Sequence, residues 1–255
     1  MRLLIDIGNS KLGLAVFSKN KCIRQARLEH GGRPDYDQVY NFLDKALGVR
    51  SIKAAAICSV VPEITQHTVT AVKQLLDIHC LVVDVSTLKG FKTRYHLPSQ
   101  LGCDRMVCSY AAARLYGKPV IVVDIGTAIT WDAVDAKGRH LGGAIAPGPL
   151  TMARALNDRT ALLPLAPLKK ARTGLGHNTA EAIEAGLYWG TIGMVKELVA
   201  VISAAMKGRP KIVITGGLAG MAGPHIKNSI TDQLLIYKGL NLALQEKERE
   251  MNFAK

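Results

Sequence analysis

The sequence predicts an α/β fold of two similar lobes with mixed sheets. Strand-length apolar runs alternate with helix-period segments, two places read as antiparallel hairpins, and one strand-turn motif occurs twice. The repeat is the most informative of these observations. Leu3-Leu4-Ile5-Asp6-Ile7-Gly8 is echoed by Ile121-Val122-Val123-Asp124-Ile125-Gly126, and each copy continues to a small hydroxyl residue, Ser10 or Thr127. Asp6 and Asp124 stand 118 positions apart (124 − 6), near half of 255 residues, which suggests lobes at 1–117 and 118–255.

The elements follow in order. Leu3–Ile7 is a strand, and Leu12, Leu14 and Val16 at period two make its hairpin partner. Pro34 and Asp35 start a helix over Tyr36 to Leu47, which carries Val39, Phe42, Leu43, Ala46 and Leu47 on one face and stops at Gly48. Ala54–Val61 is a strand, and a helix follows Pro62 over Glu63 to Leu76. Leu81–Val85 is a strand, and Arg105 to Tyr116 is a helix stopped by Gly117 with Pro119 behind it. Val120–Ile125 opens the second copy. Thr130 to Val134, the turn Asp135-Ala136-Lys137-Gly138 and His140 to Ile145 form its hairpin. Asn178 to Met206 reads as one long helix or two, before a last strand at Lys211–Thr215.

Composition removes several classes. Hydrophobic residues make up 48% and charged ones 21%, enough to bury a core rather than remain disordered. The net charge is +13, yet only 5% of residues are aromatic, which argues against a base-stacking single-strand binder. The basic residues are spread and often have acids nearby, so they suit a solvated surface or a field that attracts small anions. Ala54–Val61 and Pro119–Val123 are far short of the ~20 residues of a membrane span, and Asp6 interrupts any signal-peptide core. Five cysteines without a C-x-x-C pair suggest reduced, mostly buried thiols in a cytoplasmic protein. The seven histidines show no metal-ligand spacing.

A strand ending in Asp-x-Gly sets a carboxylate at the strand end and lets backbone approach an anion closely. The N–H groups of Gly8, Asn9, Ser10 and Lys11 suit a nest for phosphate oxygens. Asp6 suits a Mg²⁺-bound water, and Lys11 adds charge. One such motif is an ordinary tight turn, but two facing copies suit a triphosphate held between them. A P-loop is excluded, because Gly117-Lys118 is followed by Pro119. Gly174-x-Gly176-x-x-Thr179 does not make a dinucleotide site, because Lys169-Lys170-Ala171-Arg172 before it is no buried strand.

With Thr215-Gly216-Gly217 after a late strand, the paired loops resemble the actin, sugar-kinase and heat-shock ATPase superfamily. Five motifs narrow this to a resemblance to type III pantothenate kinases. They are Asp6-Ile7-Gly8-Asn9-Ser10, Gly102-Cys103-Asp104-Arg105, Asp124-Ile125-Gly126-Thr127-Ala128 with Thr130 and Asp132, Gly142-Gly143 to Pro147-Gly148, and Gly176-His177-Asn178-Thr179. Ser10 stands where Thr is usual, Cys103 lies inside the second motif, and Trp131 replaces a smaller apolar residue.

The resemblance implies two ribonuclease-H-like lobes with an ATP cleft between them and an adenosine motif in the second. It implies transfer of the ATP γ-phosphoryl group to the 4′-hydroxyl of pantothenate, the first step towards coenzyme A. Residues 6 to 13 (Asp6, Ile7, Gly8, Asn9, Ser10, Lys11, Leu12, Gly13) and Thr127 would then bind ATP. Asp6 would hold Mg²⁺ through water, and Asp124 a monovalent cation, K⁺ or NH₄⁺. Asp104 suits a general base at a helix start, and Arg105 offers a planar fork for the pantothenate carboxylate or amide oxygens. Tyr95, Gly102, Cys103, Asp104, Arg105 and Thr179 complete the expected substrate site. Ala182, Gly186, Gly190 and Gly193 form a smooth helix face for close packing, within the chain or in the homodimer the family forms. No membrane or nucleic-acid partner is expected. Two other readings use the same residues: a kinase of another small alcohol, and a non-catalytic regulatory relative that binds nucleic acid or protein.

Overall fold

A computed structural model describes residues 1–48 and 51–253. Its strands are β1 (Arg2–Ile7), β2 (Lys11–Ser18), β3 (Lys21–Glu29), β4 (Ala54–Ser59), β5 (Cys80–Val82), β6 (Lys92–Thr93), β7 (Val120–Ile125), β8 (Ala128–Val134), β9 (Arg139–Pro147), β10 (Lys211–Thr215) and β11 (Ser229–Thr231). Its α-helices are α1 (Tyr36–Leu47), α2 (Pro62–Leu76), α3 (Cys103–Leu115), α4 (Pro149–Arg159), α5 (Thr179–Ala205), α6 (Ala219–Ala222) and α7 (Leu235–Phe253). The chain divides into two compact units, Met1–Ala111 with Leu234–Lys255, and Ala112–Gln233. The first unit therefore takes the C-terminal helix, which the repeat alone had assigned to the second lobe.

The sheet of the first unit has the order β3-β2-β1-β4-β5. Central β1 pairs antiparallel with β2 and parallel with β4. Both faces of β1 are covered, as its near-continuous apolar sequence requires. Leu3, Ile5 and Ile7 join Leu12, Leu14, Val16 and residues of α1 and α2 in one core. Leu4 joins Ala15, Phe17, Ala56 and Cys58 in another, packed with Val107 and Tyr110 of α3 and Leu240, Ala243 and Leu244 of α7.

Within the second unit the strands run β9-β8-β7-β10-β11. Central β7 again pairs antiparallel with its hairpin partner β8 and parallel with a later strand, β10. The sequence repeat is thus a repeat of topology. Trp131 is fully buried here, in a core with Tyr188, Ile192 and Val195 of α5.

The sequence expectations for α1, β7 and β10 match the observed bounds. The strand expected at Leu81–Val85 is shorter because the Asp84 carboxylate accepts from the N–H groups of Ser86 and Thr87 and turns the chain at 2.8 and 3.0 Å. α5 is a single helix of 27 residues and is long and apolar enough to cross a membrane by length and composition. That corrects the expectation that apolar stretches stay near strand length. One face of α5 is nonetheless committed to the core of the second unit.

The start of α1 shows how local chemistry fixes an element. The Asp35 side chain accepts from the Gln38 N–H at 2.8 Å, and the Gln38 side chain accepts from the Asp35 N–H at 3.1 Å. Asp35→Ala should lower stability by about 1 kcal/mol. Urea unfolding of the variant should show an earlier midpoint with an unchanged slope.

Candidate active site

Each repeat loop is held by three equivalent backbone hydrogen bonds. The glycine N–H turns back into the hairpin, Gly8 to the Lys11 carbonyl and Gly126 to the Ala128 carbonyl, both at 2.9 Å. The end of the third strand donates to the hydroxyl residue's carbonyl, His30 to Ser10 at 3.0 Å and Gly148 to Thr127 at 2.9 Å. The residues following the parallel strand donate to the isoleucine, Val60 to Ile7 and Leu218 to Ile125, both at 3.0 Å. These bonds align Ser10 with Thr127. The Gly8 N–H is used inside its own loop, so the nest expected from four consecutive N–H groups lacks its first donor.

The second loop is closely buttressed. A Cβ on Gly148 would lie 2.0 Å from the Gly126 carbonyl oxygen, and one on Gly216 would lie 2.3 Å from Asp124 Oδ1. The Thr151 hydroxyl donates to the Thr127 carbonyl at 2.6 Å. Gly148 and Thr151 belong to the start of α4, a helix that sequence patterning missed. Its signal was Pro149 at the first helical position after a glycine.

In the first unit, Asp6 is the polar member of an otherwise apolar sheet face. Asp6 pairs with Gly13 of β2 and Cys58 of β4, so these three residues form a row across the strands. Cys103 and Asp104, in the first turn of α3, complete this cluster. The Cys58 thiol is pushed well above its ordinary range, first by burial, then by a hydrogen bond with Cys103 and by the negative charges of Asp6 and Asp104. Two carboxylates from separate elements thus act on one thiol.

Arg105, 6% exposed, donates from Nη1 to the Tyr95 hydroxyl at 2.8 Å, and its Cζ lies 5.6 Å from the Tyr95 ring centre. The Arg105 N–H donates to Asp104 Oδ1 at 2.8 Å. A Cβ at Gly102 would meet that same Oδ1 at 2.6 Å, so Gly102 makes room for the carboxylate.

Several expected site residues have other duties. The side chains of Ile7 and Leu12 are core, so only their backbone is available to a nucleotide. Cys103 is buried and its thiol donates to the Val83 carbonyl at 3.1 Å. The open side of Gly13 is filled by the Tyr237 hydroxyl, 2.3 Å from where a Cβ would be. Asn9 is exposed, and Gly8, Ser10 and Lys11 are partly so. Thr179 begins α5 in the second unit, exposed, while Asn178 caps the helix by accepting from the Glu181 N–H at 3.0 Å. The first unit therefore brings together Asp6, Tyr95, Gly102, Asp104 and Arg105, and the second brings together Asp124 and Thr127.

The donor sets suit the cations the sequence implied. Among the described residues no group of three or more His, Cys, Asp or Glu is arranged to hold a metal ion. Mg²⁺ does not require one, since it keeps waters and takes one or two carboxylates alongside phosphate oxygens. Asp6 fits that use. At Gly216 the missing Cβ lets the chain pack directly against Asp124 Oδ1 and the Ile125 backbone. The Asp124 carboxylate is a hard oxygen donor of the kind an alkali cation takes.

The family model described as type III pantothenate kinase matches residues 2–201. A type III pantothenate kinase of Moorella thermoacetica is 35% identical over 252 residues, covering 96% of this chain and 99% of that protein. One from Geobacter sulfurreducens is 32% identical, covering 98% and 100%. Among solved structures, the activator of 2-hydroxyisocaproyl-CoA dehydratase from Clostridium difficile, with bound ADPNP, superposes with a TM-score of 0.58 at 12% identity. That match covers 100% of this chain and 98% of the other, and it speaks for the fold.

Proposed function

The chain belongs to the type III pantothenate kinase family, and from that premise we propose how its residues divide the work of the reaction. The protein phosphorylates pantothenate with ATP in coenzyme A biosynthesis. The observation that carries the assignment of roles is the pair of carboxylates, Asp6 and Asp104, gathered around Cys58 at one end of a buried sheet face.

Phosphoryl transfer passes through a loose transition state, so a protein contributes mainly position and charge. Asp104 orients the pantothenate hydroxyl and takes its proton as transfer proceeds. Its place in the first turn of α3 favours the ionised form that this requires. Arg105, fixed by Tyr95, presents its guanidinium to the carboxylate or amide oxygens of pantothenate. Thr179 contributes a further pantothenate contact. Asn9, Ser10 and Lys11 are assigned to the nucleotide phosphates, as is Thr127. Asp6 would hold Mg²⁺ through water, and Asp124 would hold K⁺ or NH₄⁺. When bound, these cations supply positive charge against the phosphate oxygens.

We read the working form as a cytoplasmic homodimer. Gly186, Gly190 and Gly193 lie exposed along α5, and no atom stands within 4 Å of where their Cβ atoms would be. A helix face this smooth permits close approach of a second copy. Sedimentation at micromolar concentration should give twice the chain mass of 27.5 kDa, and a monomer would remove this part of the reading.

Asp104→Asn should keep the fold and lower kcat roughly 10²–10⁴-fold, the range for general acid–base groups. A coupled ATP assay with pantothenate measures it, and near-normal turnover would sink the base assignment. Replacing K⁺ by tetramethylammonium should impair ATP use in the same assay. Activity that ignores the monovalent cation would take that role from Asp124.

A further inference from the structure

We propose that Tyr237 is a positioning residue for Asp6, its hydroxyl donating toward the carboxylate across the gap left by Gly13. The proposal rests on the assignment of Asp6 to metal-bound water given above. It starts from a glycine in an unfavourable place. Gly13 lies inside β2 between the buried residues Leu12 and Leu14, where a glycine weakens a strand by roughly 0.5–1 kcal/mol.

What occupies the space of the missing side chain is the Tyr237 hydroxyl, 2.3 Å from an added Cβ, with the ring carbon Cζ at 3.6 Å. The ring, from α7, packs against the core of Leu4, Ala15 and Phe17. Any apolar ring would serve that packing. Only the hydroxyl reaches the row Gly13–Asp6–Cys58, and it is the only polar part of the side chain.

Gly13 and Asp6 are register partners, so the hydroxyl stands over the neighbour of the carboxylate on the same sheet face. Burial raises the Tyr237 phenol well above its ordinary range, and the charge of Asp6 raises it further. A phenol carries its proton at neutral pH, so the hydroxyl is able to donate. A donor on the β2 side of Asp6 restricts the carboxylate's rotation and leaves its other oxygen for the metal-bound water. Hydrogen bonds to charged groups contribute more than neutral ones.

The test compares Mn²⁺ binding, followed by electron paramagnetic resonance with a non-hydrolysable ATP analogue present, in four full-length variants. Tyr237→Phe should unfold at the parent's temperature and bind Mn²⁺ roughly tenfold more weakly, the low end for one hydrogen bond to a charged group. In the kinase assay its half-saturating Mg²⁺ concentration should rise by a similar factor, with kcat changed much less. Gly13→Ala should lose both stability and Mn²⁺ affinity, because its Cβ displaces the hydroxyl. Gly13→Ala/Tyr237→Phe should recover the stability and not the affinity. Asp6→Asn separates the two layers of the argument. Weak Mn²⁺ binding in Asp6→Asn with parental binding in Tyr237→Phe overturns the role of Tyr237 and leaves Asp6 in place. Parental binding in both removes Asp6 from the metal. A fall in the unfolding temperature of Tyr237→Phe by more than roughly 3 °C, the scale of a 1 kcal/mol loss in a protein of this size, assigns the hydroxyl to packing and also overturns the proposal.

Discussion

The structure depends on central strands that are buried on both faces and end in a carboxylate. Burying an ionised group is costly unless it is paired or reaches solvent. β1 can carry Asp6, and β7 Asp124, only because the strand stops directly afterwards and a glycine turns the chain. Upstream of each aspartate the strand is apolar core, and downstream the backbone is free to meet an anion. The placement of chemistry at strand ends thus follows from the same burial that stabilises the sheet.

The two units meet that constraint in the same way and differ in how they brace it. The three backbone bonds around each loop have the same pattern and nearly the same lengths. Around them, the second unit uses glycines at 148 and 216 to bring neighbouring backbone against Thr127 and Asp124. The first unit instead surrounds Asp6 with side chains from distant parts of the sequence, Cys103 and Asp104 from α3 and Tyr237 from α7. One loop is shaped mainly by backbone, and the other by helices packed on its sheet face.

Much of this was legible from residue order. The repeat, both hairpins, the helices α1, α2, α3 and α5 and the carboxylate positions follow from periodicity and turn residues, because each is a local pattern. What escaped notice was non-local or weakly patterned. β3 is an edge strand whose residues alternate between exposed and half-buried, with Arg24 and Arg27 among them, so it lacks an apolar run. α7 has Leu235, Leu240, Ala243 and Leu244 on its buried side, with Gly239 in its interior, a residue of weak helix propensity. The structure gives the reason for that glycine, since a Cβ there would lie 2.6 Å from Val107 of α3. The side chain that fills the space at Gly13 comes from 224 positions later (237 − 13), a pairing no local pattern shows. Ile7, Leu12 and Cys103 were named from motifs, and a motif does not reveal which way a side chain points.

The first unit is discontinuous, and this bears on how the chain comes off the ribosome. Domains generally fold as units, earlier ones first, while synthesis continues. Here the order is inverted for completion. The second unit is contiguous and can be finished once residue 233 has emerged, whereas the first, though it starts earlier, waits for the helix after residue 234. Until then the sheet face bearing Leu4, Ala15 and Phe17 lacks its α7 cover. The nascent chain carries a greasy, half-built lobe through the synthesis of the other, and that interval is when chaperones have most to protect.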